Sequence, residues 1–170
     1  MTTTTAPFKP TIAWLRSFLA ANGQPDLARR LPDDYCWREI GQAVRAGACP
    51  PEIVDAATAA LIASGNGWAC YKYCLSVKDR PDVRAAMIAS RDGYACYKYC
   101  RLVKDRDDVR AAMIASGVGW ACYEYCRNVQ DRADVRAALI ASGDRDACYR
   151  YCLNVQDRPE VWAVFERRRL

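Results

Sequence analysis

The chain is predicted to fold as an all-α protein, an α-solenoid of about four 26-residue two-helix repeats with helical caps at both ends. The first observation is self-similarity at a fixed period. Residues 81–106 read PDVRAAMIASRDGYACYKYCRLVKDR, and residues 107–132 and 133–158 repeat this text with few changes. Residues 55–80 are a more divergent copy, and PEVWAVFERRRL closes the chain as a partial unit. The second observation is punctuation: each unit is cut by a Ser-Gly-type turn and by an Asp-Arg turn into two helical segments of about ten residues. The third is size. Helices this short cannot bury enough apolar surface alone, so the hairpins must stack on one another.

Taken in order, the N-terminal residues 1–54 read as a helical cap. TIAWLRSFLAANG is amphipathic with a glycine stop, DDYCWREIGQAVRAGA is capped by Asp33 or Asp34, and PPEIVDAATAALIAS begins with proline in its first turn. The first helix of the leading repeat spans roughly Trp68 to Lys78, after SGNG, whose glycines end the preceding helix. The second starts at Asp79-Arg80-Pro81-Asp82, an Asp N-cap with an acid three residues on. Asp105/Asp108, Asp131/Asp134 and Asp157/Glu160 repeat that start. Residues 159–170 form a capping helix in which Arg167, Arg168 and Arg169 complement the helix dipole. The whole chain of 170 residues reads as one domain.

Composition narrows the function classes. The formal net charge of +5 is modest and spread along the chain, unlike the concentrated basic patch of a dedicated nucleic-acid binder. The start MTTTTAPFKP lacks the apolar stretch of a secretory signal, and no apolar run is long enough to span a membrane. Ten cysteines in such a chain are expected to be reduced thiols of a cytoplasmic protein. Histidine is absent, which removes the commonest general base and metal ligand. No phosphate-binding glycine loop or nucleophile–base arrangement is present, so no enzyme activity and no cofactor are expected.

The recurring Cys-x-x-x-Cys pairs invite two readings. On a helical wheel Cys70, Cys74, Tyr73 and Val77 share one stripe, with Lys72 and Ser76 opposite and Trp68, Tyr71 and Leu75 on one flank. A mid-stripe cysteine is a small hydrophobe that lets a neighbouring helix approach, and this is the leading expectation. The alternative is a soft-metal site for Cu(I), built from Cys70, Cys74, Cys96, Cys100, Cys122, Cys126, Cys148 and Cys152. A disulfide inside a pair is disfavoured by the i,i+4 geometry. Cys36 and Cys49 lie outside the repeat and carry no spacing signal.

Two tyrosine rows, Tyr71/Tyr97/Tyr123/Tyr149 and Tyr73/Tyr99/Tyr125/Tyr151, offer stacking surfaces for single-stranded nucleic acid. The favoured alternative packs one row in the core and wedges the other between repeats. Arg80/Arg106/Arg132/Arg158 and Arg84/Arg110/Arg136 form either a phosphate-binding stripe or, as favoured, an Asp–Arg ladder between adjacent turns.

The pattern Trp-Ala-x-Tyr-x-Tyr, a valine, a charged turn and a second short helix is similar to tandem HEAT-like helical-hairpin repeats of uncharacterised bacterial and phage proteins. The likeness covers roughly residues 55–165, with Cys70 and Cys74 standing where those repeats carry alanine. It implies a fold and no activity. Its occurrence in phages and mobile elements implies an inhibitor or adaptor of a host complex. The reading is therefore a non-enzymatic module that binds a protein partner, with nucleic acid not favoured and no membrane. Its contact residues are expected where copies diverge or present charge: Lys72, Lys98, Glu124 and Arg150, with Arg101 and Arg127, and Arg84, Arg110 and Arg136. Asn66/Asp92/Val118/Asp144 diverge in the same way.

Overall fold

A computed structural model of the chain describes residues 51–166 and the isolated positions 17, 20, 21 and 25. Among the described residues every regular element is a helix. In chain order these are α1 (Pro51–Ser64), α2 (Gly67–Ser76), α3 (Pro81–Ala89), α4 (Gly93–Leu102), α5 (Asp107–Ala115), α6 (Gly119–Asn128), α7 (Ala133–Ser142), α8 (Arg145–Asn154) and α9 (Pro159–Glu166). The two earlier helices of the expected N-terminal cap, Cys36, Cys49 and the Arg167–Arg169 triplet lie outside the described residues.

The helices form two layers. The A helices α2, α4, α6 and α8 pack side by side, and each packs on the B helix that follows it, α3, α5, α7 or α9. Neighbouring A helices approach one another more closely than neighbouring B helices do. The reason lies in the residues between the layers. Ala69, Ala95, Ala121 and Ala147, with the cysteine pairs, give the A helices small buried contacts. The B helices supply few buried side chains: a valine with one larger apolar group in α3, α5 and α7, such as Val83 with Met87 or Val135 with Leu139, and two valines in α9.

A glycine fixes how close successive units come. A Cβ on Gly67, Gly93 or Gly119 would stand 2.1, 2.1 or 2.4 Å from the hydroxyl oxygen of Ser90, Ser116 or Ser142 in the following unit. Those hydroxyls are held in place, donating to the carbonyls of Met87, Met113 and Leu139 at 2.6, 2.6 and 2.7 Å. The turn before each A helix needs a left-handed residue, met by Gly65, Gly117 and Gly143 and, in one unit, by Arg91 at φ 57°.

Capping differs from the expectation at both helix types. The residue before each A helix is its N-cap. Asn66, Asp92 and Asp144 accept from the backbone N–H of Ala69, Ala95 and Ala147, each at 3.0 Å. Val118 holds the same backbone position and offers no acceptor. Installing the missing oxygen with Val118→Asp is expected to stabilise the chain by about 1 kcal/mol, read as a higher thermal midpoint. The B helices α3, α5 and α7, in contrast, are not capped by Asp79, Asp105 or Asp131. Their N-cap residues are Arg80, Arg106 and Arg132, whose side chains make no capping bond.

Those aspartates are drawn instead into a polar seam between repeats. Arg84, Arg110 and Arg136 pair with Asp79, Asp105 and Asp131 at 2.9, 3.2 and 3.1 Å. Each also reaches the acid of the next turn, Asp108, Asp134 or Glu160, at 3.5–3.8 Å. Tyr125 and Tyr151 donate their hydroxyls to Asp105 and Asp131 at 2.8 and 3.0 Å. Tyr99 is buried against the equivalent pair, Asp79 and Arg84, without closing a hydrogen bond. Sister positions therefore separate the two cases. Tyr125→Phe is expected to cost about 1.5 kcal/mol in a denaturant melt, and Tyr99→Phe less.

The last unit departs from the pattern because no A helix follows it among the described residues. Arg145 stands where the other units have the crowded glycine, and its guanidinium donates to the Phe165 carbonyl at 2.8 and 3.0 Å. It also lies over the Phe165 ring, 5.1 Å from the centroid. Trp162 replaces the ladder arginine and donates its indole N–H to Asp157. Tyr149, Trp162 and Phe165 then close this end as an aromatic cluster with centroids 5.1–5.9 Å apart.

Candidate interaction face

The A helices turn three residue rows away from the B layer. The first is Trp68/Tyr94/Trp120/Asp146, the second Lys72/Lys98/Glu124/Arg150 and the third Leu75/Arg101/Arg127/Leu153. One i, i+4, i+7 stripe per helix, copied every 26 residues, makes a continuous face. It carries five cations and two acids. Leu75, Trp120 and Leu153 are among its exposed apolar groups.

Two of the cations lie over aromatic rings. Trp68 packs on Tyr71 at 5.1 Å and stacks on Tyr94 at 6.1 Å and 21°. The Lys72 ammonium lies 5.4 and 5.6 Å from the Trp68 and Tyr71 ring centres. Lys98 sits 5.2 and 5.1 Å from those of Tyr94 and Tyr97. Each lysine is half-buried, with its ammonium lying over the rings. Arg101 and Arg127 donate to the hydroxyls of Tyr97 and Tyr123 at 3.1 and 3.4 Å, one turn along the same helix.

Six of the candidate contact residues thus come together: Lys72, Lys98, Arg101, Glu124, Arg127 and Arg150. Arg84, Arg110 and Arg136 are set apart in the Asp–Arg seam, where Arg110 keeps only 8% of its side chain exposed. Arg80, Arg106 and Arg132 pair with Asp82, Asp108 and Asp134 at 2.8–3.2 Å. Asn66, Asp92 and Asp144 are caps. The sequence marks the Trp68/Tyr94/Trp120 row by its change to Asp146 in the last unit but does not assign it to a contact face; the signal for that is an aromatic four residues before each of Lys72 and Lys98.

Both tyrosine rows are internal except at the chain's end. Tyr73, Tyr99, Tyr125 and Tyr151 lie in the core, and the rings of Tyr71, Tyr97 and Tyr123 are wedged between A helices. The hydroxyl of Tyr97 meets Glu124 and Asn128 of the next unit, each at 3.2 Å. Tyr149 is the exposed member. Buried rings present no face on which a base can stack.

The eight repeat cysteines are free and buried between the layers. Burial pushes the thiols of Cys74, Cys96, Cys100 and Cys126 up to about 12 and those of Cys70, Cys122 and Cys148 up to about 11. It also raises Cys152. The thiolate form that binds a soft metal is therefore disfavoured. Among the described residues no three Cys, Asp or Glu side chains gather as a metal-binding group. Among the same residues no helix is long and apolar enough to cross a membrane. Comparison of the chain with protein-family models, with curated proteins and with solved structures finds no match in any of the three.

Proposed function

We propose that the chain is a non-enzymatic binding module that recognises a protein partner across the outward face of its A helices. The observation that supports this reading is the pre-ordered cation–aromatic surface, in which Lys72 and Lys98 lie over paired rings beside Arg101, Arg127 and Arg150. Holding a lysine before binding lowers the entropy lost on docking. Five cations against two acids favour an acidic partner surface, and Leu75 and Leu153 supply apolar contacts at its edge. The likeness to phage and mobile-element repeats gives the specific version of the proposal, an inhibitor or adaptor of a host complex.

The test compares tagged full-length chain with a Lys72→Glu/Lys98→Glu variant in capture from the native host. A stoichiometric protein recovered by the parent and lost with the variant is the expected result. Equal recovery by both would remove this face from the interaction.

A further inference from the structure

The three complete aromatic pairs on the outward face share one geometry, but only two hold a cation. Trp120 and Tyr123 are 5.2 Å apart, as close as Trp68 with Tyr71 and Tyr94 with Tyr97. In those sister pairs a lysine four residues after the first ring lies over both rings. The third unit places Glu124 at that position, and among the described residues no Lys or Arg covers the Trp120–Tyr123 pair. Trp120 also lacks the ring that covers Trp68, because Asp146 occupies the place in α8 that Tyr94 occupies in α4. Its indole is 36% exposed.

We infer that Trp120, packed on the buried Tyr123 ring, forms with Glu124 and Asp146 a site for a basic side chain, arginine or lysine, of a protein partner. The repeat itself shows what such a ring pair takes, since an internal ammonium fills it in both sister units. The electron-rich ring faces attract a cation, and a flat guanidinium stacks on indole. The carboxylates supply the opposite charge. One oxygen of Glu124 accepts from Tyr97 at 3.2 Å and from Asn128 at 2.8 Å, which turns the side chain while its other oxygen stays free. Asp146 is exposed and its side chain forms no bond among the described residues. Arg101 and Arg127 are engaged with the hydroxyls of Tyr97 and Tyr123, and Arg150, four residues after Asp146 in α8, is the neighbouring cation on this face. The partner that complements this face is acidic opposite Lys72 and Lys98 and carries one basic residue opposite Trp120. Only the source of the cation rests on the proposed function, because the site is testable without the partner.

The experiment titrates full-length, ¹⁵N-labelled protein with an acetyl-Gly-Arg-Gly-amide peptide and follows the indole N–H resonances. The chain has five tryptophans, and Trp120→Phe identifies the resonance of interest. A saturable shift of the Trp120 signal in the millimolar range is expected, with little response to the matching glutamate peptide. Glu124→Lys refills the slot as the sister units do, and Asp146→Asn removes one carboxylate. Each is expected to weaken the shift roughly fivefold. No saturable shift, an equal response to the glutamate peptide, or undiminished binding in both variants would overturn the site. Equal partner capture by the parent and the Lys72→Glu/Lys98→Glu variant, with a normal peptide titration, would instead overturn the reading of the whole face.

Discussion

Raising the pH from 7 to about 10 is expected to unfold the repeat region cooperatively, and the thiols are the cause. An unfolded cysteine ionises near pH ~8.5. In the folded chain burial holds seven of the eight repeat thiols up to about 11 or 12 and raises the eighth. The folded state thus keeps protons that the unfolded chain releases. Stability is complete below the unfolded pKa and is lost as pH climbs toward the folded values. At pH ~10 the loss is about 2 kcal/mol per thiol, so several thiols together reach the whole stability of a typical domain. Tyr99 and Tyr125, pushed by burial up to about 12, act in the same direction. Urea midpoints by circular dichroism across pH 7–10.5 measure it. A Cys74→Ala/Cys100→Ala/Cys126→Ala variant should begin its alkaline loss at higher pH, even if it is less stable at pH 7. An unchanged onset would show that the thiols do not set it.

Asp131→Ala is expected to cost about 3 kcal/mol at pH 7, among the largest effects of a single substitution in this chain. Its carboxylate accepts from Tyr151 and pairs with Arg136, at 3.0 and 3.1 Å. Without it Arg136, 17% exposed, keeps Glu160 at 3.8 Å and the neighbouring Tyr151 hydroxyl but no close carboxylate. The penalty comes from the abandoned charge and hydroxyl, so adding Arg136→Met should recover part of it. If the double variant is no more stable than Asp131→Ala, stranding of the arginine is not the cause. Asp131→Asn keeps an acceptor for Tyr151 and should fall between parent and Asp131→Ala.

The same carboxylate shows where sequence reading stopped. Asp79, Asp105 and Asp131 stand where an N-cap belongs, and local rules assign them that role. Only the packed structure brings a tyrosine from twenty residues further along the chain onto Asp105 and Asp131. A buried hydroxyl and guanidinium outbid one backbone N–H for the acid, and Arg80, Arg106 and Arg132 are left as the N-cap residues. Val118 shows the converse: Asn66, Asp92 and Asp144 at equivalent positions were legible as acceptors preceding a helix, yet they read as variable surface because glycines dominated the turn.

What the sequence determined by itself was the period, the two helices per unit and the stripe that buries the cysteines, since all three follow from local spacing and the apolar pattern. Within that frame the Asp–Arg ladder was also legible, because both partners recur in every copy. Tertiary structure decided which charges remained available. Arg84, Arg110 and Arg136 were consumed between the layers, whereas Lys72 and Lys98 were placed over aromatic rings on the outward face. The uncovered indole of Trp120 is likewise a property of stacked neighbours. It depends on Glu124 turning toward Tyr97 of the preceding unit and on Asp146 of the following one, contacts that no spacing within a single helix encodes.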